Sequence, residues 1–170
     1  MNVNLMVFIS SILVLVFGSV LSQDCKYGNL DLSVLSNSTI YCEQGNKKYI
    51  LYYTPCRNGL GCEGEVMIAQ YSRDNNGNAV DCLYNVASFN QSITPSYNQT
   101  DKSYLFQYKN GHADVGSPYC YNGRAINITF ICQPNAIPYD KNKTICDDES
   151  IDAGPGICPY YFNVYTNAAC

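Results

Sequence analysis

The chain has 170 residues, 46% hydrophobic and 14% charged: enough apolar material to pack one domain, and no sign of wholesale disorder. A net charge of -4 and an isoelectric point near 4.7 exclude the basic footprint that nucleic-acid binding needs. The single histidine, His112, excludes a zinc site built on several histidines. Two excesses call for a cause, sixteen tyrosines and ten cysteines.

Residues 1–22 (MNVNLMVFISSILVLVFGSVLS) contain no charged side chain, and the apolar stretch from Leu5 to Leu21 is broken only by small residues. A polar stretch, Gln23-Asp24-Cys25, follows at once, and Val20 and Ser22 occupy the small-residue positions before a signal-peptidase cut. The pattern predicts a signal peptide over 1–22 and a mature domain over 23–170; the alternative is an uncleaved anchor. No later run approaches the ~18 apolar residues of a membrane span. All ten cysteines follow the expected cut, and an even number in a secreted chain implies disulfides. No two stand in a C-x-x-C pair, which argues against a zinc knuckle or a thioredoxin-like site. Asn37, Asn90, Asn98, Asn127 and Asn142 each head an Asn-x-Ser/Thr sequon, as expected of a secreted or lumenal glycoprotein.

Along the mature chain the expected elements are short strands. Lys48–Thr54, Glu65–Tyr71 and Tyr104–Tyr108 are rich in tyrosine and apolar residues. Ala125–Cys132 sets Ile126, Ile128 and Phe130 against Asn127, Thr129 and Ile131, the period of a half-buried strand. Pro159–Tyr165 is the last. Asn58-Gly59, Asn76-Gly77, Asn110-Gly111, Asn122-Gly123 and Gly154-Pro155-Gly156 mark turns between them. The sum predicts an all-β sandwich or flattened barrel, with most tyrosines as strand residues whose hydroxyls reach water.

No catalytic or cofactor motif stands out. There is no Gly-x-Ser-x-Gly elbow and no phosphate-binding glycine loop. His112 lies in the glycine-flanked stretch 111–116, and no nucleophile can be placed beside it. The cluster Asp147, Asp148, Glu149 and Asp152 lacks the glycine and distal glutamate of an EF-hand and reads as a solvated acidic loop. The expectation is no enzyme, no cofactor and no metal.

The C-terminal half has a specific layout. It runs Cys120-Tyr-Asn-Gly-Arg124-Ala-Ile-Asn-Ile-Thr-Phe-Ile-Cys132, then a loop, then Cys158-Pro-Tyr160-Tyr-Phe162-Asn-Val-Tyr165-Thr-Asn-Ala-Ala-Cys170. This resembles the mannose 6-phosphate receptor homology (MRH) domain, the P-type lectin module. That family places an arginine eight residues before a strand-ending cysteine, as Arg124 stands before Cys132, and closes on cysteine, aromatic, aromatic-rich strand and Ala-Cys. In the N-terminal half, Leu30-Asp-Leu-Ser-Val-Leu35, Tyr53-Thr-Pro-Cys56, Ile68-Ala-Gln70 and Leu105-Phe-Gln-Tyr-Lys-Asn-Gly111 are similar to the family's pattern. The resemblance spans nearly all of 25–170.

The resemblance implies a flattened barrel of two antiparallel sheets, stapled by disulfides, and a mannose pocket ringed by Gln70, Arg124, Glu149 and Tyr160. An arginine fork and an amide hydrogen-bond an axial hydroxyl in one geometry, and a carboxylate accepts from its neighbours. A pocket carboxylate would make binding fall as Glu149 protonates in an acidic compartment. Glu149 stands nine residues before Cys158, slightly outside the family's range, with Asp152 in reserve; the family's tryptophan in the last strand is replaced by Val164. In the family's receptors the loop before the cysteine matching Cys120 takes part in phosphate recognition, which makes His112, Asp114 and Ser117 the candidate phosphate contacts. By the same analogy Cys120 pairs with Cys158, Cys132 with Cys170, Cys25 with Cys56 and Cys62 with Cys82. Cys42 and Cys146 remain, to pair with each other or to exchange with the N-terminal pairs. The implied protein is a secreted lectin, or one lumenal to the secretory or endolysosomal pathway. Its partners would be mannose-terminated N-glycans on glycoproteins, lysosomal hydrolases among them. The alternative is the same fold without a sugar site, serving as a non-catalytic subunit of a glycan-processing complex.

Overall fold

A computed structural model describes residues 25–44, 48–62, 64–88, 93–109, 111–113, 120–148 and 158–170. The expected leader over 1–22 and Asn90, Asp114, Ser117, Glu149 and Asp152 lie outside the described residues. Thirteen strands follow one another: β1 (Lys26–Tyr27), β2 (Leu30–Asp31), β3 (Ile40–Glu43), β4 (Tyr49–Tyr53), β5 (Gly59–Leu60), β6 (Glu65–Val66), β7 (Ile68–Arg73), β8 (Ala79–Ala87), β9 (Ser96–Asn98), β10 (Ser103–Tyr108), β11 (Arg124–Cys132), β12 (Ile145–Asp148) and β13 (Cys158–Thr166). Among the described residues the only helices are single 3-10 turns at Ser33–Leu35 and Asn167–Ala169, and none is long and apolar enough to cross a membrane.

Alternation of side chains builds two facing sheets. In β11 Ile126, Ile128 and Phe130 are buried and in β13 Tyr160, Phe162 and Val164 are buried, while the residues between them are half-exposed. The two strands thus turn one face inward and the other to solvent. One sheet has the order β12-β13-β11-β10-β9, the other β3-β4-β7-β8. The buried faces of both enclose the core, where each fully buried Ile or Phe adds about 1.5–3 kcal/mol. The small pairs β1-β2 and β5-β6 stand apart from the main sheets.

Three expectations need correction. The sheets are not both antiparallel: β11 and β13 run parallel, Arg124 opposite Cys158 and Cys132 opposite Thr166. A parallel pair needs a long crossover, which the stretch 133–157 supplies, with β12 on the way. The run Glu65–Tyr71 is broken at Met67 into β6 and β7. There the main chain turns to other partners, Met67 N–H donating to Ala87 and Met67 C=O accepting from Thr54, both at 2.9 Å. The sequence reading also missed β8, an edge strand with register shifts against β7 and no clean alternation.

Five disulfides staple this frame: Cys25–Cys56, Cys42–Cys146, Cys62–Cys82, Cys120–Cys158 and Cys132–Cys170. Cys120–Cys158 ties the turn before β11 to the first residue of β13, and Cys132–Cys170 ties the far end of β11 to the chain terminus. Cys42–Cys146 spans 104 residues and joins β3 of one sheet to β12 of the other. The same edge carries a parallel bridge between Gln44 and Cys146, so the two sheets meet there through main chain and disulfide together.

Candidate functional site: a polar chain between the sheets

Gln70 sits on β7 opposite Leu51, on the inward face. Arg124 is the first residue of β11 and Tyr160 the third of β13, with Ile126 opposite Tyr160 across the parallel pair. The two sheets therefore bring the three side chains to one end of their shared interior. Arg124 Nε donates to Tyr160 Oη at 3.2 Å, and Tyr160 Oη donates to Gln70 Oε1 at 3.0 Å. Gln70 Nε2 donates in turn to Gln44 Oε1 at 2.7 Å. Relative exposures are 3% for Arg124, 2% for Gln70, 1% for Tyr160 and 1% for Gln44, so the chain is closed off from solvent.

Several features hold Arg124 in place. Its Nη1 donates to the main-chain oxygen of His112 at 2.9 Å, and its guanidinium carbon lies 3.5 Å from the centre of the Tyr84 ring. A flat guanidinium can stack on an aromatic face while its edge keeps donating. The segment that supplies the oxygen is itself fastened: Gly111 N–H donates to Arg124 C=O at 3.0 Å and His112 N–H to Asn85 C=O at 2.7 Å. Gly111 has no room for a side chain, because a Cβ would stand 2.0 Å from Val86 C=O and 2.7 Å from Arg124 Cβ. Gly123, at φ +93°, makes the turn into β11 and accepts from Cys158 N–H at 3.1 Å.

The other expected residues fall as follows. Glu149 and Asp152 lie outside the described residues; the main chain of Asp148, next to Glu149, pairs opposite Tyr160. The His112 side chain is exposed, and it is the residue's main chain that serves Arg124. Among the sequons Asn37, Asn98 and Asn142 are exposed. Asn127 is half-exposed on the outer face of β11, where it accepts from Gln107 Nε2 at 3.2 Å.

Sequence reasoning missed Gln44, Tyr84 and Gly111. Gln44 follows Glu43 in the polar stretch Glu43-Gln44-Gly45-Asn46-Lys47-Lys48, which carries no motif. It is buried only because β3 docks on β12, a contact that no local pattern announces. Tyr84 is one tyrosine among sixteen and lies on the strand that was missed. Gly111 was read as a turn glycine; its reason is close packing against β8 and β11.

A cavity of about 480 Å3 lies elsewhere, on the outer face of the four-stranded sheet, lined by Tyr52, Tyr71, Arg57, Thr54, Val66 and Val80 among others. It is separate from the polar chain, because Tyr52 and Tyr71 alternate with the inward Leu51 and Gln70. Its size is that of a small-molecule site, but among the described residues its lining includes none of Gln70, Arg124 and Tyr160.

No family model matches the sequence, and no curated protein matches it. Among solved structures the chain is similar to domain 11 of the echidna M6P/IGF2R receptor, determined by NMR in solution. The TM-score is 0.52 at 18% identity, over 83% of this chain and 86% of that one. With two main β-sheets, five disulfides and this match over most of its length, the chain has an MRH-like fold.

Proposed function

We propose that the protein is a lectin that binds terminal mannose on N-glycans, with Gln70, Arg124 and Tyr160 as sugar contacts and Glu149 as the carboxylate beside them. One observation carries the reading: three side chains from β7, β11 and β13, drawn from both sheets, converge in a single hydrogen-bonded chain. Fixed donors and acceptors at one end of the interior between two sheets suit a polyol, whose hydroxyls each need a partner in one direction. Glycoproteins of the secretory route, lysosomal hydrolases among them, would carry such glycans. The disulfides fit an oxidising compartment. His112, Asp114 and Ser117 would be the contacts for a phosphate on the mannose, and catalysis has no part in this reading.

A glycan panel with mannose, phosphomannose and glucose termini tests it, run with the disulfide-intact protein and an Arg124→Ala variant of verified fold. Mannose-dependent binding that is lost in the variant supports the lectin. The phosphomannose arm decides whether the 111–119 loop takes part. No binding by well-folded protein refutes the lectin.

The burial of the chain favours a second reading. Gln70, Arg124 and Tyr160 satisfy one another and are at most 3% exposed, as expected of a polar network that specifies packing. The protein would then be an MRH-fold interaction module without sugar binding, such as a non-catalytic subunit of a glycan-processing complex.

A further inference from the structure

The polar chain has a direction. A guanidinium only donates, so Arg124 Nε gives its hydrogen to Tyr160 Oη. The phenol has one proton and gives it to Gln70 Oε1. The amide of Gln70 is thereby oriented, its Nε2 facing Gln44 Oε1. Gln44 has then used its carbonyl, and its Nε2 is left over. That atom is buried and meets no acceptor among the described residues.

Turning over the Gln44 amide does not remove the surplus. Flipping Gln44 alone would set its Nε2 against the Nε2 of Gln70, donor to donor. The Nε2 of Gln44 is thus the unmatched donor of the chain. A buried donor without a partner is a standing cost, and such atoms are rare in folded proteins. Gln44 is also held firmly: its N–H donates to Tyr49 C=O at 3.1 Å, and its main chain bridges to Cys146, two residues beyond the Cys42–Cys146 disulfide.

We infer that Gln44 is a specificity-determining residue of the sugar site, donating its Nε2 hydrogens to an acceptor oxygen of the ligand. The inference rests on the mannose-binding reading and adds to it a contact on β3's side of the interior. A hexose hydroxyl or ring oxygen fits, since it brings the lone pair that Gln44 Nε2 lacks. The ligand must part the side chains that now cover the chain. A site so arranged prefers a sugar that offers an acceptor at this point over an analogue without one.

The test titrates wild type, Gln44→Glu and Gln44→Met with methyl α-D-mannoside and its monodeoxy analogues, with melting temperatures alongside. Gln44→Glu keeps an oxygen for Gln70 but replaces the idle donor with an acceptor. The expected result at pH 7 is roughly a tenfold loss of mannoside affinity in both variants. One hydroxyl position should matter to wild type and cease to matter in the variants, with the other positions unaffected. Wild-type affinity and an unchanged deoxy pattern in a variant would overturn the role of Gln44 while leaving the lectin standing. A wild type that binds no mannoside removes both. If both variants melt early, the side-chain amide resonances of Gln44 in wild type decide. Movement on saturation with mannoside supports the contact, and unmoved signals in a protein that binds overturn it.

Discussion

The interior between the two sheets has two ends that share the same strands and differ in chemistry. At one end β11 and β13 contribute Arg124 and Tyr160, met by Gln70 and Gln44 from the opposite sheet. At the other they contribute Phe130 and Phe162, met by Tyr53 of β4, whose ring centre lies 5.6 Å from Phe162 and 6.3 Å from Phe130. Phe106 extends this cluster, 5.5 Å from Phe130 and 4.7 Å from Tyr27. The aromatic end gains from burial and contact without regard to direction. The polar end gains little net stability, because its hydrogen bonds replace others made to water. What it gains is direction, which a ligand can read. Apolar packing and directional hydrogen bonding are thus placed at opposite ends of the same pair of strands.

The strongest way to break this contrast is at the aromatic end. Phe162→Ala removes a fully buried ring and is expected to cost about 3–5 kcal/mol in urea unfolding. A loss below 1 kcal/mol would mean that the cluster does not carry the fold.

At the polar end, Tyr160→Phe keeps the ring and removes the hydroxyl that links Arg124 to Gln70. The expected loss is about 1–3 kcal/mol, with mannoside affinity falling far more than stability. Equal, small effects on both would favour the packing-only reading of the network.

Alkaline pH sharpens the contrast further. Burial pushes the Tyr53 phenol well above its ordinary value, with the neighbouring Tyr108 and Tyr27 adding to the effect, and burial raises Tyr108 likewise. A raised acid keeps its proton in the folded state while the unfolded chain loses it. This contribution to stability is complete below pH 10, the ordinary tyrosine value, and is lost as pH rises through the raised range. Each group steepens the fall by about 1.4 kcal/mol per pH unit. Tyr53→Phe should remove one such increment from denaturation curves measured between pH 9 and pH 11 (roughly the window in which an unperturbed tyrosine titrates). An unchanged slope would place Tyr53 in water.

The smallest effect is expected at neither end. Glu43 pairs with Arg73 by two contacts, 2.8 and 2.9 Å, on the outer surface. Glu43→Ala should cost less than about 1 kcal/mol by thermal melting and leave sugar binding untouched.

The strongly patterned parts of this architecture were legible in the sequence. β11 and β13 alternate cleanly because one face of each is buried, and β4 and β10 are apolar enough to stand out. β8 was not legible: it is an edge strand with bulges, and Asp81 and Asn85 interrupt its pattern. The parallel pairing of β11 with β13 is a property of the crossover between them, which strand patterns do not encode. Gln70, Arg124 and Tyr160 were singled out through a family resemblance in spacing, and the fold brings them into one hydrogen-bonded chain. Gln44 was not, since a glutamine in a polar stretch becomes buried only when two sheets close on each other.

The most direct test of the lectin is a crystal structure of the protein saturated with methyl α-D-mannoside. The account predicts a pyranose at the polar end, within hydrogen-bond distance of Gln70, Arg124 and Tyr160, with the aromatic end unchanged. Sugar seated instead in the outer cavity beside Tyr52 and Tyr71, or no sugar at saturating concentration, would contradict it.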